Sequence, residues 1–209
     1  MLKLLRMPSR PKMLFRSAAS FRFRALLEKK ISRKRLDAFW DYFDAGEKHR
    51  KQIASGYTRT VSAVSPSVLG TVRYFSSREA AMEYVKKSSQ IVSALNSLRP
   101  KRFELLPVQV LDVNGTKVLE RVYAAPSCSD IIDGRENRYL KGFFDLRKGI
   151  PKQEIADATS IAYEELGELE IELGRRGLYF DATSTNILVL DYDRETKKVL
   201  FGIVDNRHG

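Results

Sequence analysis

The chain has 209 residues, with 37 Lys and Arg against 26 Asp and Glu and a formal net charge of +11. All of that excess falls in residues 1–35, which hold twelve basic residues and one acid, Glu28; residues 36–209 have no net charge. A hydrophobic share of 43% can fill a core, which excludes wholesale disorder. One cysteine, Cys128, excludes an intramolecular disulfide framework and a cysteine-rich zinc site, and two histidines, His49 and His208, argue against a histidine-built metal centre.

Residues 1–20 read as a flexible basic leader, rich in Arg and Ser. That composition fits a mitochondrial presequence, a basic arm that contacts nucleic acid or anionic surfaces, or an amphipathic segment that packs on its own domain. No secretory-type apolar core is present in it, and no run of about 18 apolar residues offers a transmembrane segment anywhere in the chain. The expected location is therefore cytoplasmic (or the cytoplasm of a host), and mitochondrial if the leader is a presequence.

Residues 21–52 predict a helical extension, since Phe21, Leu26, Leu27, Ile31, Leu36, Phe39, Trp40 and Phe43 recur at a helical spacing. Such an apolar stripe either caps the core or binds a partner. Strands are expected near 60–64 and over 68–75, joined by the turn Ser65-Pro66-Ser67. A helix follows over 77–98, with Ala81, Val85, Ser88, Val92 and Leu95 on one face. Residues 108–113 and 117–123 form a hairpin around Asn114-Gly115, because Asn-Gly supplies the positive φ of a tight turn. Residues 124–129 break the pattern. A long helix over 152–176 carries Ile155, Ala162, Leu166, Leu169 and Leu173, and strands at 187–190 and 199–204 flank a polar turn over 191–198. Antiparallel strands early and a long helix late give an α+β, two-lobed pattern.

The chemistry concentrates after the long helix. Asp181 follows the helix-ending glycines Gly174 and Gly177, Asn186 comes five residues later before an apolar strand, and a second apolar strand leads to Asp205. Three oxygen-bearing side chains thus converge on one hairpin. Asn and Asp oxygens suit Mg²⁺, a hard cation that takes its remaining ligands from phosphate and water, and a carboxylate off the metal can accept a hydroxyl proton. Phosphoryl transfer needs these parts, since it is mostly positioning and charge neutralisation.

In this arrangement the sequence resembles the protein-kinase-like superfamily over about residues 53–209, and in particular its compact bacterial and phage members, loosely the PhoP-regulated YrbL-type family. The resemblance implies a protein-kinase-like two-lobed fold: an N-lobe-like antiparallel sheet plus helix over 53–124, and a minimal, truncated C-terminal lobe over 125–209 ending four residues after Asp205. Asp181 falls at the catalytic-loop Asp, with Tyr179-Phe180 where the family has His-Arg. Asn186 and Asp205 fall at the metal ligands. Gly56 stands in a degenerate phosphate-covering loop with one glycine of three. Arg73, on the third strand, takes the place of the phosphate-holding lysine, and Glu79 and Glu83 of the following helix lie off its apolar face, so the usual Lys–Glu ion pair is absent or rebuilt. Val122 and Ala124, on the fifth strand and the hinge between lobes, would meet adenine through their backbone, and Cys128 lines the cleft, is buried or is merely exposed.

The implied cofactors are ATP and Mg²⁺. The implied activity is that of a phosphotransferase that moves the γ-phosphate to a hydroxyl acceptor, expected on a protein. A pseudokinase that serves as a protein-binding regulatory module is the alternative, since the lysine and two glycines are missing. A basic nucleic-acid-binding protein ranks third, because the charge stops at residue 35 and is not interleaved with aromatics in the body.

Overall fold

A computed structural model describes residues 31–44, 52–56, 59–65, 68–98, 100–106 and 108–203. The basic leader, both ends of the helical extension and Asp205 lie outside these residues. The described elements, in chain order, are α1 (Arg33–Asp44), β1 (Gln52–Gly56), β2 (Arg59–Ser65), β3 (Val68–Tyr74), α2 (Arg78–Leu98), β4 (Phe103–Leu106), β5 (Gln109–Asn114), β6 (Lys117–Val122), α3 (Cys128–Ile132), α4 (Arg138–Leu146), α5 (Lys152–Arg175), β7 (Ile187–Asp193) and β8 (Lys198–Ile203). They form an α+β fold around two sheets. One has five antiparallel strands in the order β1-β2-β3-β6-β5, and the other has three in the order β4-β8-β7.

The middle of the helical extension is a cap on the five-stranded sheet. Leu36, Phe39, Trp40 and Phe43 repeat at three- and four-residue intervals, which aligns them on one side of α1, and that side is buried against Val72 of β3 and Leu119 of β6. Polar contacts fix the helix in place: the Trp40 indole donates to Asp112 Oδ2 at 2.9 Å and Arg33 to Asp112 Oδ1 at 3.0 Å, while Lys117 pairs with Asp44.

Helix α2 serves both sheets. Ala81 and Tyr84, near its start, pack with Val118 beneath the five-stranded sheet, whereas Ile91 and Leu95 enter the main core with Phe103, Leu166 and Phe201. Its buried face therefore runs through Ala81, Tyr84, Ser88, Ile91 and Leu95. The sequence pattern located three of these and missed Tyr84 and Ile91, which sit one position before the assumed Val85 and Val92. Glu79 and Glu83 are exposed, as expected.

Strand β4 was not anticipated. It is four residues long and pairs in parallel with β8. Its start is fixed by Glu165 of α5, whose two carboxylate oxygens accept the backbone N–H groups of Lys101 and Arg102, each at 2.8 Å. The β5–β6 hairpin is as expected, but its turn is one residue further on. Asn114 pairs with Lys117, so the two-residue loop is Gly115-Thr116, with Gly115 at φ +59°. Glycine at the first loop position is the other sequence solution for a tight hairpin.

The turn expected from residue 191 starts later, because β7 continues to Asp193. Asp191 is buried inside the protein and pairs with Arg147, just after α4. Burial pushes the Asp191 carboxyl above its ordinary range, and Arg147 opposes that push. Removing the guanidinium leaves a buried carboxylate without its cation. Arg147→Ala should therefore cost about 1–3 kcal/mol at neutral pH. A raised folded-state pKa means that the penalty is absent below the ordinary carboxylate value and grows as pH rises through the folded one. The deficit against wild type, read by urea unfolding, should accordingly shrink at pH 4; an equal deficit at both pH values would show that the charge of Asp191 is not its source.

Candidate functional site

Helix α5 ends where its glycines permit. Gly177 adopts φ +71°, and the Leu178 N–H turns back to the Leu173 carbonyl at 3.0 Å. Phe180 then anchors the chain in the main core, while Tyr179 stays exposed. This anchoring fixes the next residue, Asp181, which is only 7% exposed. Its Oδ1 accepts the Thr183 N–H at 3.1 Å, and the Thr183 carbonyl accepts the N–H groups of Asn186 at 2.8 Å and Ile187 at 3.2 Å. Asp181 and Asn186 thus stand at the two ends of one tight turn leading into β7. Tyr163 of α5 supports that turn by donating its hydroxyl to the Ala182 carbonyl at 2.7 Å. The Asn186 side chain is half-buried and makes no hydrogen bond to another described residue.

Asp205 lies outside the described residues, but β8 runs toward it. Ile203, the last residue of β8, pairs with Ile187. The returning strand therefore ends beside Asn186.

The connection between the sheets is tied to this same turn. The Pro126 carbonyl accepts the Val189 N–H at 2.8 Å, Ser127 bridges Leu188, and the Ser129 N–H reaches the Ser184 carbonyl at 3.3 Å. Tyr123 and Ala125 pack on Leu106, Leu188, Leu190 and Leu200 of the three-stranded sheet, and burial pushes the Tyr123 phenol up to about 12. A small pocket opens here between Thr71, Glu120, Arg121, Val122, Tyr123 and Ile203. Val122 lines it. Ala124 is exposed just beyond.

Cys128 is fully buried, and desolvation raises its thiol well above the ordinary range. Of the three expectations for it, burial holds; a thiol kept protonated is a poor nucleophile.

Arg73 is not a solvated strand arginine. Its Nε lies 3.6 Å from Glu120 Oε2, and its guanidinium carbon lies 4.8 Å from the centre of the Tyr84 ring. The Tyr84 hydroxyl donates to the other Glu120 oxygen. Burial raises the Tyr84 phenol, with the Glu120 charge adding to the effect. Gly56, at the end of β1, belongs to the same cross-strand row as Arg73, through the pairs Gly56–Arg59 and Arg59–Arg73.

The fold thus brings Asp181 and Asn186 together, sets Val122 at the pocket and aligns Gly56 with Arg73. Sequence reasoning missed Glu120, Tyr84 and Tyr163. For Glu120 a signal was present: an acid inside the otherwise strand-like run Val118-Leu-Glu-Arg-Val122.

No family model and no curated protein matches this chain. Among the described residues no cluster of three or more His, Cys, Asp or Glu side chains assembles. Of the donors expected for Mg²⁺, the Asn186 amide is not of these types and Asp205 lies outside the described residues. The Asn186 amide oxygen, at the end of the Asp181 turn, is a hard donor of the kind Mg²⁺ takes. No helix among the described residues is long and apolar enough to cross a membrane.

Proposed function

We propose that this chain is an ATP- and Mg²⁺-dependent phosphotransferase with a protein-kinase-like, two-lobed architecture. The observation that carries the reading is the convergence of three segments at the junction of the two sheets. The strand end at Val122 and the end of β8 share a pocket, Ile203 of β8 pairs with Ile187 just after the Asp181–Asn186 turn, and the Ser129 N–H ties the segment after β6 to Ser184 of that turn.

In this reading the backbone near Val122–Ala124 receives the adenine. Gly56 lets the β1–β2 hairpin approach the phosphates, Arg73 neutralises them, and Asn186 and Asp205 hold the cation. Mg²⁺, when bound, supplies charge neutralisation at the phosphate oxygens. Asp181 orients the acceptor hydroxyl, expected on a protein, and takes its proton. Phe180, Thr183 and Tyr163 keep Asp181 in place during the step, which is the positioning that phosphoryl transfer depends on.

The small size of the pocket favours a second reading. The space between Thr71, Glu120 and Ile203 has room for little more than a water molecule, so a nucleotide enters only if the sheets part. A pseudokinase that binds a protein partner through the same fold requires no such opening. Thermal denaturation with and without Mg-ATP separates the two. A stabilisation that needs Mg²⁺ and disappears in Asp205→Ala is expected for the enzyme, because a ligand bound only to the folded state raises its stability by mass action. The absence of any shift at millimolar ATP would leave the binding-module reading.

A further inference from the structure

We propose that the outer face of helix α5 is the docking surface for the basic leader of this same chain, residues 1–20. The inference is independent of the phosphotransferase reading.

Helix α5 buries Ile155, Thr159, Ala162, Leu166 and Leu173 in the core. On the opposite side Asp157, Ile161, Glu164, Glu168, Ile171 and Arg175 follow one another at intervals of four and three residues, which sets them on a single line along the helix. Ile161 is 49% exposed and Ile171 62%. Neither burial nor helix propensity selects isoleucine at these positions, since glutamate and lysine are better helix formers. One exposed apolar side chain needs no explanation. Two on one stripe, about 15 Å apart along the axis, mark the ends of a contact surface. Tyr179 extends it past Ile171: it is exposed, and its ring lies beside Gly174.

The charge between the two isoleucines is acidic and uncompensated. Glu164 and Glu168 are exposed and make no ion pair or hydrogen bond with another described residue. Other acids of the same helix are engaged: Glu154 with Arg194, Glu165 with the backbone of Lys101 and Arg102, and Glu172 with Arg176. An occupant of this surface must therefore bring cations and apolar groups together. The leader combines them. Residues 1–20 hold five basic residues and no acid, interleaved with Leu2, Leu4, Leu5, Met13, Leu14 and Phe15, while residues 36–209 have no net charge to offer. Residues 21–30 separate the leader from the first described residue, a tether that reaches up to about 33 Å when extended.

Other occupants suit the stripe less well. A second copy laid along it would set these glutamates against one another, and like charges brought together oppose association. A nucleic acid or an anionic lipid surface is repelled by the same acids. A leader held on α5 has its cations neutralised, so a polyanion must compete with the helix for them.

The test uses the full chain as wild type, as Glu164→Gln with Glu168→Gln, and as Ile161→Ala with Ile171→Ala. All four positions are exposed, so the core is untouched. Carbodiimide joins lysines to carboxylates in contact, and mass spectrometry of the monomer-sized product should link Lys3 or Lys12 to Glu164 or Glu168. Limited trypsin digestion after Lys12 and Arg16 reports the undocked fraction. Exposed ion pairs and half-exposed isoleucines make a modest contact, so each double variant should speed that cutting by about five- to tenfold. The same cutting rate in all three proteins, with no such link, overturns the proposal. Links found only in dimer-sized product overturn it in favour of the leader of another copy. Faster cutting in the glutamine variant alone reduces the contact to diffuse charge attraction and overturns the docking surface.

Discussion

In the proposed phosphotransferase, Asp181→Asn should slow phosphate transfer from ATP by about 10²–10⁴-fold, the usual contribution of a positioned general base. The choice of asparagine follows from the loop. Asp181 Oδ1 holds the Thr183 N–H, and an asparagine oxygen can accept the same bond, so the turn that presents Asn186 keeps its shape. Only the ability to take a proton is removed. Transfer of labelled phosphate to the protein itself, to proteins of a lysate and to water should all fall together, with the thermal midpoint close to wild type. Transfer at an undiminished rate would remove Asp181 from the role of base. A matched loss of rate and of stability would mean that the side chain holds the loop and does nothing more.

The second large effect concerns α1. Trp40→Ala should destabilise the protein by about 3–5 kcal/mol, the range for truncating a buried large aromatic. Trp40 packs between Phe39 and Phe43, with ring centres at 5.5 and 6.0 Å, and it also gives Asp112 a hydrogen bond that water cannot easily replace at that depth. Trp40→Phe keeps most of the apolar contact and should cost less, about 1–3 kcal/mol, mainly through the lost hydrogen bond to Asp112 Oδ2, while Arg33 still serves Oδ1. Trp40 is the only tryptophan, so wild-type fluorescence reports specifically on this helix. Its urea transition should coincide with that of far-UV circular dichroism if α1 is part of the cooperative fold. An earlier fluorescence transition would mean that α1 detaches by itself, and a change below about 1 kcal/mol in Trp40→Ala would contradict the docking described.

What the sequence made legible follows from how local each signal is. The 3.6-residue stripe of α5 and the glycine of the β5–β6 turn report their own conformations, and both elements occur, the turn one residue later than the Asn-Gly logic puts it. The turn that carries Asp181 and Asn186 was recognisable because a helix stop, a short polar turn and an apolar strand are adjacent in the chain. Elements that depend on distant partners were not recognisable. Strand β4 is four residues of Phe-Glu-Leu-Leu, with no alternation to mark it, and it exists because β8 and Glu165 hold it. Asp191 was assigned to a turn because aspartate favours turns; a cation 44 residues earlier keeps it in the strand. The partner of Arg73 was sought on α2, where none faces inward, while the acid sat on the neighbouring strand. That pairing depends on the register of β3 against β6, which no local pattern encodes.

The placement of β4 has a consequence for how the chain reaches its native state. The polypeptide passes from the first sheet through α2 into the second sheet, returns for the β5–β6 hairpin, and only then builds the rest of the second sheet. A boundary at residue 124 therefore cuts β4 from its partner β8, whose pairing Phe103–Val199 closes a loop of 96 residues. Contacts of such sequence separation slow folding, because the entropy of loop closure is lost before the contact forms. Neither half, expressed alone, contains a complete three-stranded sheet. Synthesis from the N-terminus leaves β4 without its partner until β8 emerges, so the three-stranded sheet closes only after all strands of the five-stranded one have been made.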